Sequence, residues 1–202
     1  TKNGESCIWL KTHQKQKKGK TMATENEQLL EEQARLREKE DRKFMRQALT
    51  QAKKAAAIDE VPIGCVIVCD GKVIARAYNR RESTQQSIAH AEILAIQKAC
   101  KKLNSWRLDG CDLYVTLEPC PMCAGAILQS RIRKVYYGAS DPKGGSIESC
   151  MRMYETSGFN HYPEVESGLM QEKCSNMLRH FFRIKRLQKK NSRMMDRCPD
   201  DQ

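Results

Sequence analysis

Cys120 and Cys123 are separated by two residues in "LEPCPMCAGAI", and about thirty residues upstream "AHAEILA" carries His90 and Glu92. A Cys-x-x-Cys pair serves three chemistries: a redox couple, half of a structural zinc site, or part of a catalytic metal centre. Pro121 marks the first turn of a helix, where the dipole lowers a thiol's pKa. That favours a thioredoxin-like couple and a thiolate metal ligand alike. A structural zinc ribbon needs a second Cys pair at comparable spacing, and the sequence offers none. His90 and Glu92, by contrast, open another helix. If both helices lie on one face of a sheet, their N-termini converge, and one His plus two Cys make a three-ligand set with the fourth position open to water. A metal there lowers the pKa of its water towards ~7. Glu92, with only Ala91 between it and the ligand, is placed to carry the proton. Taken singly, His90 also fits a helix cap or a core histidine, and Glu92 a residue that favours the helix dipole. The two motifs together point to the metal centre.

The elements that must position these residues alternate along the chain. "DRKFMRQALTQAKKAAA" places Phe44, Ala48, Ala52 and Ala55 at helical spacing. "IGCVIVCDGKVIARAYN" gives two β-branched runs joined by Asp70-Gly71, a hairpin signal. "IAHAEILAIQKACKKL" predicts a helix buried through Ile93, Ile96 and Ala99 or Cys100. A buried strand "CDLYVTL", which delivers Glu118 and Pro119 to the rim of the pocket, the helix "PMCAGAILQS" and the strand "RKVYYGA" follow, then an irregular stretch to "EVESG". The closing helix, "LMQEKCSNMLRHFFRIKRLQKK", has a basic exposed side. Strands alternating with helices after one hairpin predict an α/β fold, a three-layer α-β-α sandwich with a mixed sheet. Residues 39–190 are expected to form the domain, 1–38 a disordered or partly helical extension, and 191–202 a flexible tail. Met22 is a plausible alternative start.

The chain has 202 residues, 40% of them hydrophobic, with 36 Lys and Arg against 25 Asp and Glu and a net charge of +11. That balance indicates a polyanionic partner, nucleic acid first; solubility alone is the plainer reading. Ten cysteines scattered through apparent strands, helices and tails do not make the framework of a disulfide-stapled secreted domain. No apolar run reaches membrane-spanning length, and the N-terminus lacks a signal peptide's apolar stretch. The expected location is a reducing cytoplasm, with no membrane partner.

The pattern H-x-E…P-C-x-x-C is similar to the signature of the zinc-dependent nucleobase deaminases. Over residues 41 to 190 the sequence resembles the bacterial tRNA-specific adenosine deaminases, through "HAE", "TLEPCPMCAGAI", "VPIGCVIV", "NRRE", "SRI", "VYYGASDPKGG", "NHYPEV" and "FFR". The resemblance implies a cytidine-deaminase-like fold with about five strands, a homodimer, and conversion of the wobble adenosine of a tRNA anticodon stem-loop to inosine. His90, Cys120 and Cys123 match the family's ligands for one zinc ion per subunit, and Glu92 its proton-shuttling glutamate. Asn79 matches a residue that hydrogen-bonds the target nucleoside, and Asp141 and Lys143 match the loop lining the anticodon. One departure is Ser87-Ile88-Ala89 before the histidine, where family members often carry Pro-Thr-Ala.

The zinc motif says little about which base is deaminated, since guanine, cytosine and dCMP deaminases share it. The last helix tilts the choice towards RNA. There Phe182, Arg183 and Arg186 sit with Phe181, Arg179, Lys185, Lys189 and Lys190, an aromatic among cations that suits base stacking and phosphate neutralisation. One of the two phenylalanines is expected in the core. A free-base or nucleotide deaminase is the alternative enzyme. A zinc-stabilised RNA-binding module with a vestigial site is the non-enzymatic one, and Glu92 speaks against it.

Overall fold

The computed structural model describes the backbone of residues 5–195 and the side chains of residues 26–193. Its contacts divide the chain into two units, Thr1–Asp41 and Arg42–Gln202. Helix α1 runs Glu5–Ala57. Its residues 26–40 are all exposed, Leu29, Leu30 and Leu36 among them each by more than half. Of the extension and tail expected at the chain ends, residues 1–4 and 196–202 lie outside the described residues.

The second unit is an α/β sandwich. Strands β1 (Gly64–Cys69) and β2 (Lys72–Tyr78) form the expected hairpin, and Asp70 and Gly71 at its tip both take positive φ, 47° and 69°. These are the angles that a two-residue turn matching strand twist requires. Helix α2 (Arg81–Thr84) and helix α3 (Ala91–Leu103) lead to β3 (Cys111–Leu117), helix α4 (Pro121–Gln129) and β4 (Lys134–Ala139). A short strand β5 (Glu164–Glu166) and helix α5 (Gln171–Met195) complete it. The sheet order is β2-β1-β3-β4-β5. β1 is antiparallel to both neighbours, while β3, β4 and β5 are parallel. The mixed five-stranded sheet and its two helical layers are the architecture expected from the sequence.

Each face of the sheet has its own core. On one, Ala91, Ala95 and Ala99 of α3 and Ala124 and Ile127 of α4 pack on Cys65, Ile67, Leu113, Val115 and Tyr137. On the other, Phe44, Met45, Ala48 and Leu49 of α1 and Cys174 of α5 pack on Val66, Val68, Tyr114 and Tyr136. Tyr114 and Tyr136 stack there with ring centroids 4.3 Å apart. The stripe expected on α1 is the buried one. On α3 the expectation was rotated: the fully buried line is Ala91, Ala95 and Ala99, while Ile93 and Ile96 are half-buried. Alanines on the inward line let the helix axis approach the sheet closely, and the larger side chains then fill the flanks. β5 was missed because three residues at a sheet edge carry no usable periodicity.

Candidate active site

The topology brings the N-termini of α3 and α4 to the same end of the sheet. His90 occupies the N-cap position of α3 with extended backbone (φ −78°, ψ 152°), and Cys120 that of α4 (φ −73°, ψ 170°), with Pro121 opening the helix. His90 makes no side-chain cap. Its Nδ1 lies instead 3.6 Å from Cys120 Sγ and 3.5 Å from Cys123 Sγ. The three ligand atoms lie within 4.8 Å of one another, the one such group of three among the described residues. The donor set fits zinc. Tetrahedral coordination with Zn–S of about 2.3 Å and Zn–N of about 2.0 Å puts sulfur and nitrogen about 3.5 Å apart, and both observed separations agree.

Charge within the cluster is arranged for a cation. The Cys123 thiol donates to Cys120 and His90 stands beside it, so Cys120 falls to about 4 against the opposing effect of burial. Cys123 is pushed up by that same donation and by burial. His90 is raised, first by its hydrogen bond with Cys120. Two thiols this close share one thiolate until a metal neutralises both. Glu92 follows in the first turn of α3 and is 4% exposed. Burial raises its carboxyl to about 7, and its Oε2 has no hydrogen-bond partner. A buried carboxylate with one oxygen unpaired is costly, and one that titrates near neutrality beside a metal-competent cluster is suited to carrying a proton.

Asn79 follows β2, and the backbone N–H of the next residue, Arg80, donates to Ala89 O at 3.0 Å, tying its loop to the residue before His90. Asn79 is 3% exposed. Its Nδ2 donates to Glu60 Oε2 at 3.4 Å, and its Oδ1 is without a partner. Asp141 accepts from the Lys143 N–H at 3.1 Å, an Asx turn, and Lys143 is exposed. Ser87 and Ile88, the departure from the family pattern, are both exposed. Phe182, Arg183 and Arg186 are exposed on α5 and Phe181 is half-buried, so neither phenylalanine joins the core. The reason is geometric: α5 packs on the sheet through Cys174, Met177 and Leu178 and then continues with no core residue beyond them. A cavity of about 620 Å³ beside α5, lined by Ala56, Met177, Phe181, Ile184 and Lys185 among others, includes none of the metal-cluster residues.

Three further residues belong to this region, two of which, Glu60 and Tyr154, sequence reasoning missed. Glu60 is fully buried and also accepts from the Ser83 N–H at 2.7 Å. Tyr154, in the short 3₁₀ turn Met153–Glu155, donates to Ala124 O at 3.2 Å. Burial raises its phenol, and the neighbouring charges of Cys123 and Glu92 raise it further. Glu118 is 2% exposed. Burial pushes its carboxyl up, but hydrogen bonds from Ser149 and from backbone N–H groups outweigh that and hold it below the usual range. For Glu60 and Glu118 the signal was present: a carboxylate bordering an apolar strand must find partners. Tyr154 carried none.

A buried glutamate beside a His/Cys/Cys cluster on an α/β/α sandwich defines a nucleobase-deaminase type of centre. The MafB19-like deaminase model matches residues 39–186. The chain belongs to that deaminase family, and within it groups with the tRNA-specific adenosine deaminases. It is 54% identical over 154 residues to the tRNA-specific adenosine deaminase of Bacillus subtilis, covering 76% of this chain and 96% of the relative. A solved structure from a study of A-to-I editing by tRNA:A34 deaminases at the wobble position is 52% identical, with a TM-score of 0.65, and covers 67% of this chain and 98% of its own. The guanine deaminase of Nitrosomonas europaea is 26% identical with a TM-score of 0.61, over 69% of this chain and 83% of its own.

Proposed function

We propose that the protein converts the wobble adenosine of a tRNA anticodon loop to inosine by hydrolytic deamination. The observation that carries the reading is the buried Glu92 carboxylate, one oxygen of it without a partner, beside the converged His90, Cys120 and Cys123. These three residues would hold one zinc ion per subunit. Bound there, the ion supplies Lewis acidity that brings the ionisation of water into the neutral range. Glu92 accepts a proton from the attacking water and delivers it to the adenine ring nitrogen beside the amino-bearing carbon; it then takes the second proton, from the newly added hydroxyl, and passes it to the departing amine. Adenosine and water become inosine and ammonia. Asn79 offers its free Oδ1 to the target nucleoside. Asp141 and Lys143 border the anticodon, and Phe182, Arg183 and Arg186 meet flanking bases and phosphates. An adenosine in a single-stranded loop leaves its stack at less cost than one in a duplex.

The α5 cations and the tRNA-specific relatives favour RNA over the free base taken by the guanine deaminase relative. We further propose a homodimer in the cytoplasm, with 39–190 as the deaminase domain, 1–38 an extension and 191–202 a tail. Among the described residues no helix is long and apolar enough to cross a membrane. Incubation with an anticodon stem-loop bearing a wobble adenosine, and separately with guanine, cytosine and dCMP, tests the reading. Inosine in the RNA is expected. Ammonia from a free base or dCMP with an unchanged stem-loop overturns it. A sizing-column mass of one chain would remove the dimer.

A further inference from the structure

We infer that Glu118 is a positioning residue for RNA recognition: its carboxylate fixes the loop carrying Asp141 and Lys143 against the segment that delivers the two cysteines. This rests on the reading that the loop meets the anticodon. Residues 140–150 contain no helix or strand, so their buried backbone donors need partners from elsewhere. Glu118, one position past β3 and two before Cys120, provides them. Its Oε1 accepts from the N–H groups of Ile147 (3.1 Å), Glu148 (2.8 Å) and Ser149 (2.9 Å). Its Oε2 accepts from the Asp141 N–H at 3.0 Å and from the Ser149 hydroxyl.

Further contacts tie the loop to the same segment. The Ser146 N–H and hydroxyl both donate to Pro119 O, at 2.9 and 3.0 Å. The Glu118 N–H donates to Ala139 O at 2.8 Å. Gly145 lies over the carboxylate so closely that a Cβ there would stand 2.3 Å from the Glu118 carboxyl carbon. The residue missing a side chain and the residue supplying one are complementary parts of a single lock. Asp141, held at its N–H by Glu118, then folds back through its own carboxylate onto Lys143. The backbone position of Lys143 therefore descends, contact by contact, from Glu118.

The experiment is steady-state deamination of the anticodon stem-loop by the zinc-loaded full chain, comparing Glu118→Gln, Ser149→Ala and Gly145→Ala with the wild type. Glu118→Gln removes the charge and turns one acceptor into a donor. Ser149→Ala removes one donor with no change to the core, and Gly145→Ala displaces the carboxylate from outside. For Glu118→Gln and Gly145→Ala the KM for RNA should rise on the order of ten-fold, and for Ser149→Ala by less. kcat should stay within about two-fold and the zinc content should be unchanged. An unaltered KM, or a kcat that falls in step with zinc, overturns the inference. If Glu118→Gln fails to fold, Gly145→Ala and Ser149→Ala decide it. A wild type that leaves the stem-loop unedited refutes the RNA reading itself, and that outcome is separate.

Discussion

Asn79 donates from Nδ2 to Glu60 Oε2, and the same amide leaves its Oδ1 buried without a partner. Glu60 therefore settles which face of the amide is free: an acceptor, never a donor. Glu60→Ala strips buried partners from the Asn79 amide and the Ser83 N–H, at a cost of about 1–3 kcal/mol each. A lower midpoint of urea unfolding reads that cost. The KM for the stem-loop should rise as well, because the Asn79 amide is then free to rotate. A variant with wild-type stability and kinetics would remove Glu60 from the site.

Glu92→Gln keeps shape and hydrogen-bonding capacity but cannot take up a proton. kcat should fall on the order of 10²–10⁴, while metal analysis still finds one zinc per chain. Zinc loss with that substitution would make Glu92 a ligand. His90→Ala and Cys123→Ala should instead lose metal and activity together.

Arg183 and Arg186 are exposed and stand clear of the sheet. Replacing either with alanine should weaken binding to the anticodon stem-loop and flatten the plot of log affinity against log salt by about one unit of slope or a little less. Zinc content and thermal stability should not move. An unchanged slope would exclude α5 from the RNA footprint.

Burial pushes the Cys174 thiol from its ordinary 9.0 up to about 12. Cys111 rises to about 12 through burial and the neighbouring Cys69. A thiol kept neutral in the folded state contributes stability that is whole below the unfolded value near 9 and is lost as pH climbs through about 12. The contribution of these two thiols to the urea midpoint should thus hold steady between pH 7 and about 8.5 and decline above it. Cys174→Ala should make that decline shallower. At pH 8 a thiol reagent should label exposed Cys150 in the native protein, and Cys174 only after unfolding.

The metal cluster was readable because its information is local: two short motifs, each opening a helix, whose meeting required only that both helices lie on one sheet face. The hairpin was likewise written in Asp70-Gly71. What stayed hidden is what depends on distance along the chain. Glu118 was legible as a carboxylate at the rim of the pocket. That its partners would be amides 23 to 31 positions later follows only from the crossover between β3 and β4. Tyr154 reaches the site from a segment with no periodic pattern. The face of α3 was misjudged because the sequence marks which residues are apolar, while the sheet selects the ones small enough to touch it.

The loop of residues 141–149 is a nest of backbone N–H groups of the kind that elsewhere cradles phosphate. Here the chain carries its own anion into the nest, and four of the amides face inward on a carboxylate that never leaves. A polyanion arriving at this surface finds those donors already taken. Its phosphates are left to exposed cationic side chains, which follow the path of a backbone without dictating its shape. On the proposed function the loop is a rigid edge against which a nucleotide is placed, and the grip comes from elsewhere.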